Sequence, residues 1–227
     1  MLNSFFPPKC VFCGEPVQSN DFKVCGNCAE KLPYNSNKCK ICAMPIDTVY
    51  GEKICVGCRK RKPPYSLAFV PFKYSGEVRR AIIRYKFYGK ISYAKTFAAL
   101  LLIEIKKSNV SFDEITFVPI HFLKYGMRGY NQSELIAKYL SEMMSIPCKK
   151  LLKKTKLTKA LSKLPKHMRF KTVAGAFSPK NEEYIKNKKI LLIDDIITTG
   201  ATSRECAKVL KKAGAAEIYL GAIARTE

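Results

Sequence analysis

Four Cys-x-x-Cys pairs near the start of the chain constrain its fold more than any other feature of the sequence. Each pair can present two thiolates on one turn, and two such turns close a tetrahedral zinc site of four sulfurs. The second two pairs nearly repeat the spacing of the first two, so we interpret the segment as a duplicated unit. We predict as metal ligands Cys10, Cys13, Cys25, Cys28, Cys39, Cys42, Cys55 and Cys58.

These sites are predicted to hold two structural zinc ions. No histidine or acid lies within any of the Cys-x-x-Cys turns, which we call zinc knuckles. Cysteine sulfur therefore fills all four coordination positions of each zinc ion and leaves none for substrate or water. Redox dithiols and cysteines without metal are the alternatives. The sequence leaves open which Cys-x-x-Cys pairs share a zinc ion: consecutive pairs can form each site, or alternate pairs can combine in a cross-braced arrangement. Because the segment has few core-forming residues, zinc is expected to replace a core, contributing roughly 10 to 16 kcal/mol of apparent binding free energy.

The hydropathy pattern predicts a cytoplasmic protein with no membrane span. No window approaches the ~18 uncharged apolar residues that a spanning helix needs. Residues 1–9 lack the basic and apolar regions of a signal peptide. In the cytosol, thiols stay reduced, which favours metal binding over disulfides.

The residue pattern of the chain changes after a basic run that ends in Lys62-Pro63-Pro64, from a cysteine-rich segment with little periodicity to alternating apolar and amphipathic segments. We predict a double zinc ribbon over residues 1–62 and an α/β domain over residues 65–227. In the second region apolar strands alternate with amphipathic helices, which predicts a mostly parallel sheet with helices on both faces. Strands are predicted over residues 66–74, 115–120, 189–193 and 218–224. Helices are predicted over residues 78–87, 92–107, 133–144 and 201–212.

The segment Ile190–Thr202 carries the most specific functional signal. An apolar strand leads to Asp194 and Asp195, and a Thr-Thr-Gly-Ala-Thr turn then opens a helix. Backbone N–H groups and hydroxyls at such a helix start can cradle a phosphate, and the carboxylates can accept hydrogen bonds from a ribose diol and help to hold Mg²⁺. An ordinary N-capped helix is the alternative. The predicted phosphate- and ribose-binding residues are Thr198, Thr199, Gly200, Ala201 and Thr202.

A second segment fits the same chemistry. Val118-Pro119-Ile120-His121 ends a predicted strand and leads to Arg128-Gly129-Tyr130-Asn131-Gln132. An arginine fork suits anionic oxygens, and Asn131 can cap the next helix. We predict a pyrophosphate-binding loop that includes His121, Arg128 and Gly129. An ordinary loop is the alternative.

The Ile190–Thr202 segment resembles the diphosphate-ribose binding motif of type I phosphoribosyltransferases. Together with the Arg-Gly-Tyr-Asn-Gln segment and the zinc ribbons, it makes the chain resemble the ComF family of competence proteins over nearly its whole length. The resemblance implies a type I phosphoribosyltransferase fold that binds phosphoribosyl diphosphate with Mg²⁺, with Asp194 and Asp195 as its catalytic residues. It also implies handling of incoming single-stranded DNA in natural transformation, with DNA-uptake or helicase proteins as partners.

Whether the pocket is catalytic is left open by the sequence. One alternative is an active phosphoribosyltransferase that acts on a nucleobase-like or other nucleophilic acceptor. Another is a sensor that binds phosphoribosyl diphosphate without turning it over. An ATPase is disfavoured because no Gly-x-x-x-x-Gly-Lys-Ser/Thr loop occurs in the chain.

The charge of the chain favours a polyanionic partner. The formal net charge is +23, and ten lysines and arginines lie between Lys149 and Lys171 with no acid among them. Such a segment would give salt-dependent binding to DNA phosphates. A solvated surface or a mobile lid over the active site is the alternative. The predicted DNA contacts are Lys149, Lys150, Lys153, Lys154, Lys156 and Arg169.

Overall fold

The computed structural model describes residues 7–46, 53–158 and 164–226, apart from the side chains of residues 124, 127, 128 and 166. Within this part of the chain the helices are α1 (Gly26–Lys31), α2 (Val56–Lys60), α3 (Gly76–Phe87), α4 (Tyr93–Ile105), α5 (Phe122–Arg128), α6 (Gln132–Met144), α7 (Lys166–Val173), α8 (Glu182–Ile185) and α9 (Ala201–Lys212). The strands are β1 (Leu67–Phe69), β2 (Phe72–Lys73), β3 (Glu114–Phe117), β4 (Leu152–Lys154), β5 (Phe177–Pro179), β6 (Lys189–Ile193), β7 (Ile196–Ile197), β8 (Glu217–Gly221) and β9 (Ala224–Arg225).

The main sheet has the strand order β1-β8-β6-β3, and all of its pairs are parallel. A second parallel sheet has the order β2-β9-β7, and β4 pairs with β5 in an antiparallel ribbon. The prediction of a mostly parallel α/β fold is confirmed. Strand β6 and helix α9 have the predicted bounds, and α3, α4 and α6 differ from theirs by one or two residues at an end.

Three strands of the main sheet are interrupted at the same position along the strand direction, and each then resumes in the second sheet. Strand β1 continues as β2, β6 as β7, and β8 as β9. The predictions of single strands over 66–74 and 218–224 are therefore wrong at these breaks. In the first of them Pro71 has no N–H to donate to a ladder. In the β6–β7 break lie Asp194 and Asp195, so the strand resumes for two residues beyond the acids.

Helices cover both faces of the sheet, and each zinc-ribbon unit packs on a different face. On one face, Leu191 and Ile193 of β6 belong to a core with residues of α3, α4 and α6 and with Val11 and Phe12 of the first unit. On the other face, Leu192 belongs to a core with residues of α9 and with cysteines of the second unit. Alternating strand residues point to opposite faces, which divides the core in this way. The ribbon segment therefore shares the core of the α/β region.

Several short elements were not predicted, among them α5, α7, α8, β4 and β5. Helix α7 begins in the basic run between residues 149 and 171, where no apolar periodicity signals a helix, and ends at Val173. Among the helices in the described part of the chain, none is long and apolar enough to span a bilayer.

Candidate ribose-phosphate site and zinc centres

The paired carboxylates lie in the break between β6 and β7. Asp194 is buried, and its Oδ2 accepts a hydrogen bond from Ser203 Oγ at 2.9 Å. Its Oδ1 accepts one from the backbone N–H of Asp195, also at 2.9 Å. The Asp195 side chain is 15% exposed, and its Oδ2 lies 2.9 Å from Nζ of Lys86 on α3. One acid is therefore held inside the fold and the other faces a cation at the surface of the site.

The environment of Asp194 disfavours its charged form. Burial, and then the neighbouring Asp195 carboxylate, raise the pKa of Asp194 to about 7, against the opposing effects of the Ser203 hydrogen bond and Lys86. Near neutral pH this carboxyl is therefore divided between its two protonation states. Perturbed acids of this kind are concentrated at functional sites.

Asp194→Asn is expected to stabilise the protein at high pH. In the unfolded chain the group ionises near 3.8, and in the folded chain near 7, so the free energy of unfolding of the wild type falls as the pH rises between these values. The asparagine removes this cost, and its amide can still exchange a hydrogen bond with Ser203. We expect a gain of about 1 to 3 kcal/mol above pH 7. Urea denaturation of both proteins across pH measures it, and a difference that does not grow with pH would contradict the assignment.

The loop of residues 198–202, which we call the phosphate loop, consists of the turn between β7 and α9 and the first two residues of α9. Gly200 is the N-cap of α9 and has φ of 75°, a left-handed conformation that favours glycine. Because glycine has no side chain, the N-cap position does not block the first turn of the helix. The side chains of Thr198, Thr199 and Thr202 are half-buried, and Thr199 Oγ1 accepts a weak hydrogen bond from Ala201 N at 3.4 Å. The loop thus has the open helix N-terminus that a phosphate requires.

The second predicted segment starts beside the acids. Strand β3 is the neighbour of β6, and Val118 N donates to Ile193 O at 2.9 Å, so both segments leave the same edge of the sheet. His121 is buried and caps α5, since its Nδ1 accepts from Leu123 N at 3.4 Å. Gly129 ends α5 in a left-handed conformation. The side chain of Arg128 lies outside the described part of the structure, so its predicted contact with pyrophosphate stays a prediction.

Asn131 has the predicted capping role. Its Oδ1 accepts from Ser133 N at 3.1 Å at the start of α6, and its Nδ2 donates to Val118 O at 3.0 Å. Tyr130 donates its hydroxyl proton to the carbonyl oxygen of Tyr85. These bonds tie the segment to the end of β3 and to helix α3.

Sequence reasoning missed Lys86. It lies on α3, far from Asp195 in the chain, and only the tertiary structure brings the two side chains together. Its neighbour Tyr85 is fully buried and donates its hydroxyl proton to Gln132 O at 2.7 Å. Arg84 contacts the first zinc knuckle. Three consecutive residues of α3 thus contact the acid pair, the second segment and a cysteine unit.

The cysteines form two separate groups, each with consecutive pairs. Within each group the four sulfurs lie within 4.8 Å of one another. Around a zinc ion with Zn–S bonds of about 2.3 Å, tetrahedral sulfurs are about 3.8 Å apart. Cys13 Sγ lies 3.6 Å from Cys25 Sγ, and Cys42 Sγ lies 3.6 Å from Cys55 Sγ. The geometry fits two structural zinc ions and resolves the pairing in favour of consecutive sites.

A buried arginine supports a charged metal centre in the second group. Arg225 on β9 is 3% exposed, and its Nε and Nη1 have no hydrogen-bond partner among the described residues. Its charge acts on Cys42, whose pKa burial nevertheless raises to about 11. A zinc ion with four thiolates carries two net negative charges, and an adjacent guanidinium would offset one of them.

Arg84 binds the first zinc knuckle to the α/β region. Its Nη2 donates to the carbonyl oxygens of Val11, at 3.0 Å, and Phe12, at 2.5 Å, between the first two cysteines. Arg84→Ala is expected to lower the free energy of unfolding by about 1.5 to 3 kcal/mol, the usual effect of a hydrogen bond to a charged group.

Arg80→Ala is the control for Arg84→Ala in the same denaturation experiment. Arg80 lies exposed on the same helix, and its ion-pair partner among the described residues is the half-buried Glu77. Its loss is expected to change stability by at most about 0.5 kcal/mol. Equal losses in the two variants would contradict a special role for Arg84.

The predicted DNA-contact residues do not form one loop. Lys149, Lys150, Lys153 and Lys156 are exposed around β4, which pairs with β5. Lys149 Nζ lies 3.9 Å from the centre of the Tyr184 ring. The partly buried residues have local partners, since Lys154 Nζ donates to Thr158 Oγ1 at 2.8 Å and Arg169 Nε donates to Leu164 O at 3.0 Å.

Comparison with known proteins agrees with both halves of this description. A double zinc ribbon domain matches residues 1–59, and a phosphoribosyl transferase domain matches residues 133–226. Competence protein F of Haemophilus influenzae is 28% identical, over 99% of this chain and 100% of its own. These matches confirm the resemblance of the chain to the ComF family of competence proteins. The fold of the chain is a double zinc ribbon joined to a phosphoribosyl transferase-type α/β domain.

Other similar proteins match this chain to different extents. DNA utilization protein YhgH of Escherichia coli K12 is 24% identical, over 97% of this chain and 98% of its own. Among solved structures, the glutamine phosphoribosylpyrophosphate amidotransferase of B. subtilis is 23% identical with a TM-score of 0.38, over 65% of this chain and 28% of that chain.

Proposed function

We propose that this protein handles incoming single-stranded DNA during natural transformation and that its phosphoribosyltransferase-type pocket binds phosphoribosyl diphosphate with Mg²⁺. The single observation that carries the pocket is the adjacency of Asp194 and Asp195 to the open N-terminus of α9. In this proposal the acids hold the ribose hydroxyls, and the loop of residues 198–202 holds the 5′-phosphate.

Mg²⁺ suits the donors in this pocket, because it prefers carboxylate oxygens together with the oxygens of a bound phosphate. It would neutralise part of the diphosphate charge, while Lys86 supplies a second cation beside Asp195. His121 and Gly129 begin and end the helix that follows β3 at the same sheet edge, where the diphosphate would lie. Arg128 is proposed to meet its oxygens.

The DNA role rests on the charge of the chain and on its relatives. A formal charge of +23 favours a polyanion, and the exposed lysines around β4 provide phosphate contacts. Relatives named for competence and DNA utilization match nearly the whole chain. We place this activity in the cytoplasm, where reduced cysteines retain zinc, with DNA-uptake or helicase proteins as partners.

Fluorescence anisotropy of a labelled oligothymidylate across a salt series tests the proposal. The expected result is binding whose affinity falls steeply with salt, with a logarithmic slope of about −0.7 for each phosphate contacted. The series is repeated with phosphoribosyl diphosphate and Mg²⁺, which are expected to change the affinity because their pocket adjoins basic surface. Absence of binding at low salt would refute the DNA role and leave the pocket to be tested by itself.

An active phosphoribosyltransferase is the second candidate, favoured by the two acids beside the loop. Carboxylates in this position can stabilise the positive charge that develops on ribose when pyrophosphate leaves. Pyrophosphate release from phosphoribosyl diphosphate in the presence of nucleobases distinguishes the enzyme from a sensor. A rate equal to that without protein, despite saturable binding, would favour the sensor.

A further inference from the structure

A cleft of about 680 Å³ adjoins the phosphate loop on the outer side of α9. Its walls come from the segment before β1, from α7 and from α9. We call it the basic cleft, and it is lined by Arg61, Lys62, Pro64, Phe170, Val173, Ala201, Arg204, Glu205 and Lys208. None of its cations is among the DNA contacts predicted from the sequence.

The cleft has an excess of positive charge. Four of the lining side chains are cations, and no ion pair involving them is formed among the described residues. Among the described residues that line the cleft, the acid is Glu205, whose Oε1 accepts from Gly175 N at 2.8 Å, in the turn between α7 and β5. Converging cations at the walls of a concave surface raise the local concentration of an anionic ligand.

An aromatic ring forms part of the same wall. Phe170 is 45% exposed, whereas Val173, one turn later on α7, is 1% exposed and packs into the core. An exposed ring beside several cations is the combination that binds single-stranded nucleic acid, because bases stack on the ring while cations contact the backbone. A duplex keeps its base faces stacked internally and offers none to Phe170.

The cleft is continuous with the phosphate loop. Ala201 belongs to both, and Arg204 lies over Gly200, with its Nε 3.9 Å from the position that a Cβ at Gly200 would take. A phosphate in the loop and a strand in the cleft would therefore lie next to each other along α9.

We propose that the basic cleft binds single-stranded DNA, with the backbone against Arg61, Lys62, Arg204 and Lys208 and one base stacked on Phe170. This inference rests on the proposed function and adds a site to it. It also predicts that a small ligand in the loop changes DNA binding, since Arg204 lines the cleft and lies beside Gly200 of the loop.

Two variants test the cleft by anisotropy of a labelled oligothymidylate across a salt series. Arg61→Ala with Lys208→Ala removes one cation from each wall and is expected to reduce the salt slope by about 1.4. Phe170→Leu removes the stacking surface at constant charge and is expected to weaken binding about 5- to 150-fold. Zinc content and thermal unfolding confirm that both variants are folded.

Arg79→Ala with Lys106→Ala is the matched control, because both residues are exposed, lie away from the cleft and remove the same charge. The control is expected to retain the wild-type slope. Wild-type protein that binds no oligonucleotide would refute the proposed function and the cleft together. If the wild-type protein binds the oligonucleotide and both cleft variants bind it with the same affinity and salt slope, the assignment of the cleft alone is overturned. Equal affinity for a duplex, or equal competition by polyglutamate of matched charge, would overturn the assignment to a single strand.

Discussion

Protein with Cys39→Ser and Cys42→Ser is expected to retain one zinc ion in place of two. The two residues supply half of the second sulfur group, and the first group shares no ligand with it. Because the second group packs on the α9 face of the sheet, its loss is expected to expose the segment before β1 to protease. Zinc counted by mass spectrometry, together with limited proteolysis, measures both effects.

Two further substitutions control the zinc experiment. Cys10→Ser with Cys13→Ser is expected to remove the other zinc ion and leave the second site intact. Cys148→Ser is expected to retain both ions, since this cysteine belongs to neither group. Retention of two zinc ions by the Cys39/Cys42 variant would rule out the consecutive ligand sets.

Asp194→Ala with Asp195→Ala is expected to weaken binding of phosphoribosyl diphosphate with Mg²⁺ by about 100-fold or more. Each carboxylate is proposed to accept charged hydrogen bonds worth about 1.5 to 3 kcal/mol, and 1.4 kcal/mol is tenfold in affinity. The fold is expected to survive, because the burial of the Asp194 charge is itself unfavourable. Isothermal titration calorimetry measures the change.

Glu182→Ala with Glu183→Ala is the matched control for the calorimetry. These neighbouring acids are exposed at the start of α8, and their removal changes the net charge by the same amount. The control is expected to bind like the wild type. Unchanged affinity in the Asp194/Asp195 variant would remove these residues from the site.

The parts of the fold that the sequence predicted are those with a local signal. The Cys-x-x-Cys spacing identified both zinc groups, although only the structure shows that consecutive pairs combine. Apolar runs and amphipathic periodicity predicted β6 and α9 with their observed bounds. The loop between them was therefore placed correctly at the start of a helix.

The missed features depend on contacts between distant residues. Hydrophobic periodicity could not reveal that adjacent strands are interrupted side by side, because the interruption depends on backbone contacts between those strands. One such contact is the hydrogen bond that Ile223 N donates to Asp195 O at 3.1 Å. Nor could periodicity reveal that Arg84 donates hydrogen bonds to the first zinc knuckle or that Lys86 forms an ion pair with Asp195. Short elements in the basic run lack a periodic apolar face and gave no signal.

The position of the 5′-phosphate in a crystal structure with phosphoribosyl diphosphate and Mg²⁺ tests the central claim most directly. We expect this phosphate against the backbone of residues 198–202, the ribose hydroxyls against Asp194 and Asp195, and the diphosphate towards the segment that follows β3. A ligand bound elsewhere, or a loop that remains empty at saturating ligand, would contradict the assignment of this pocket.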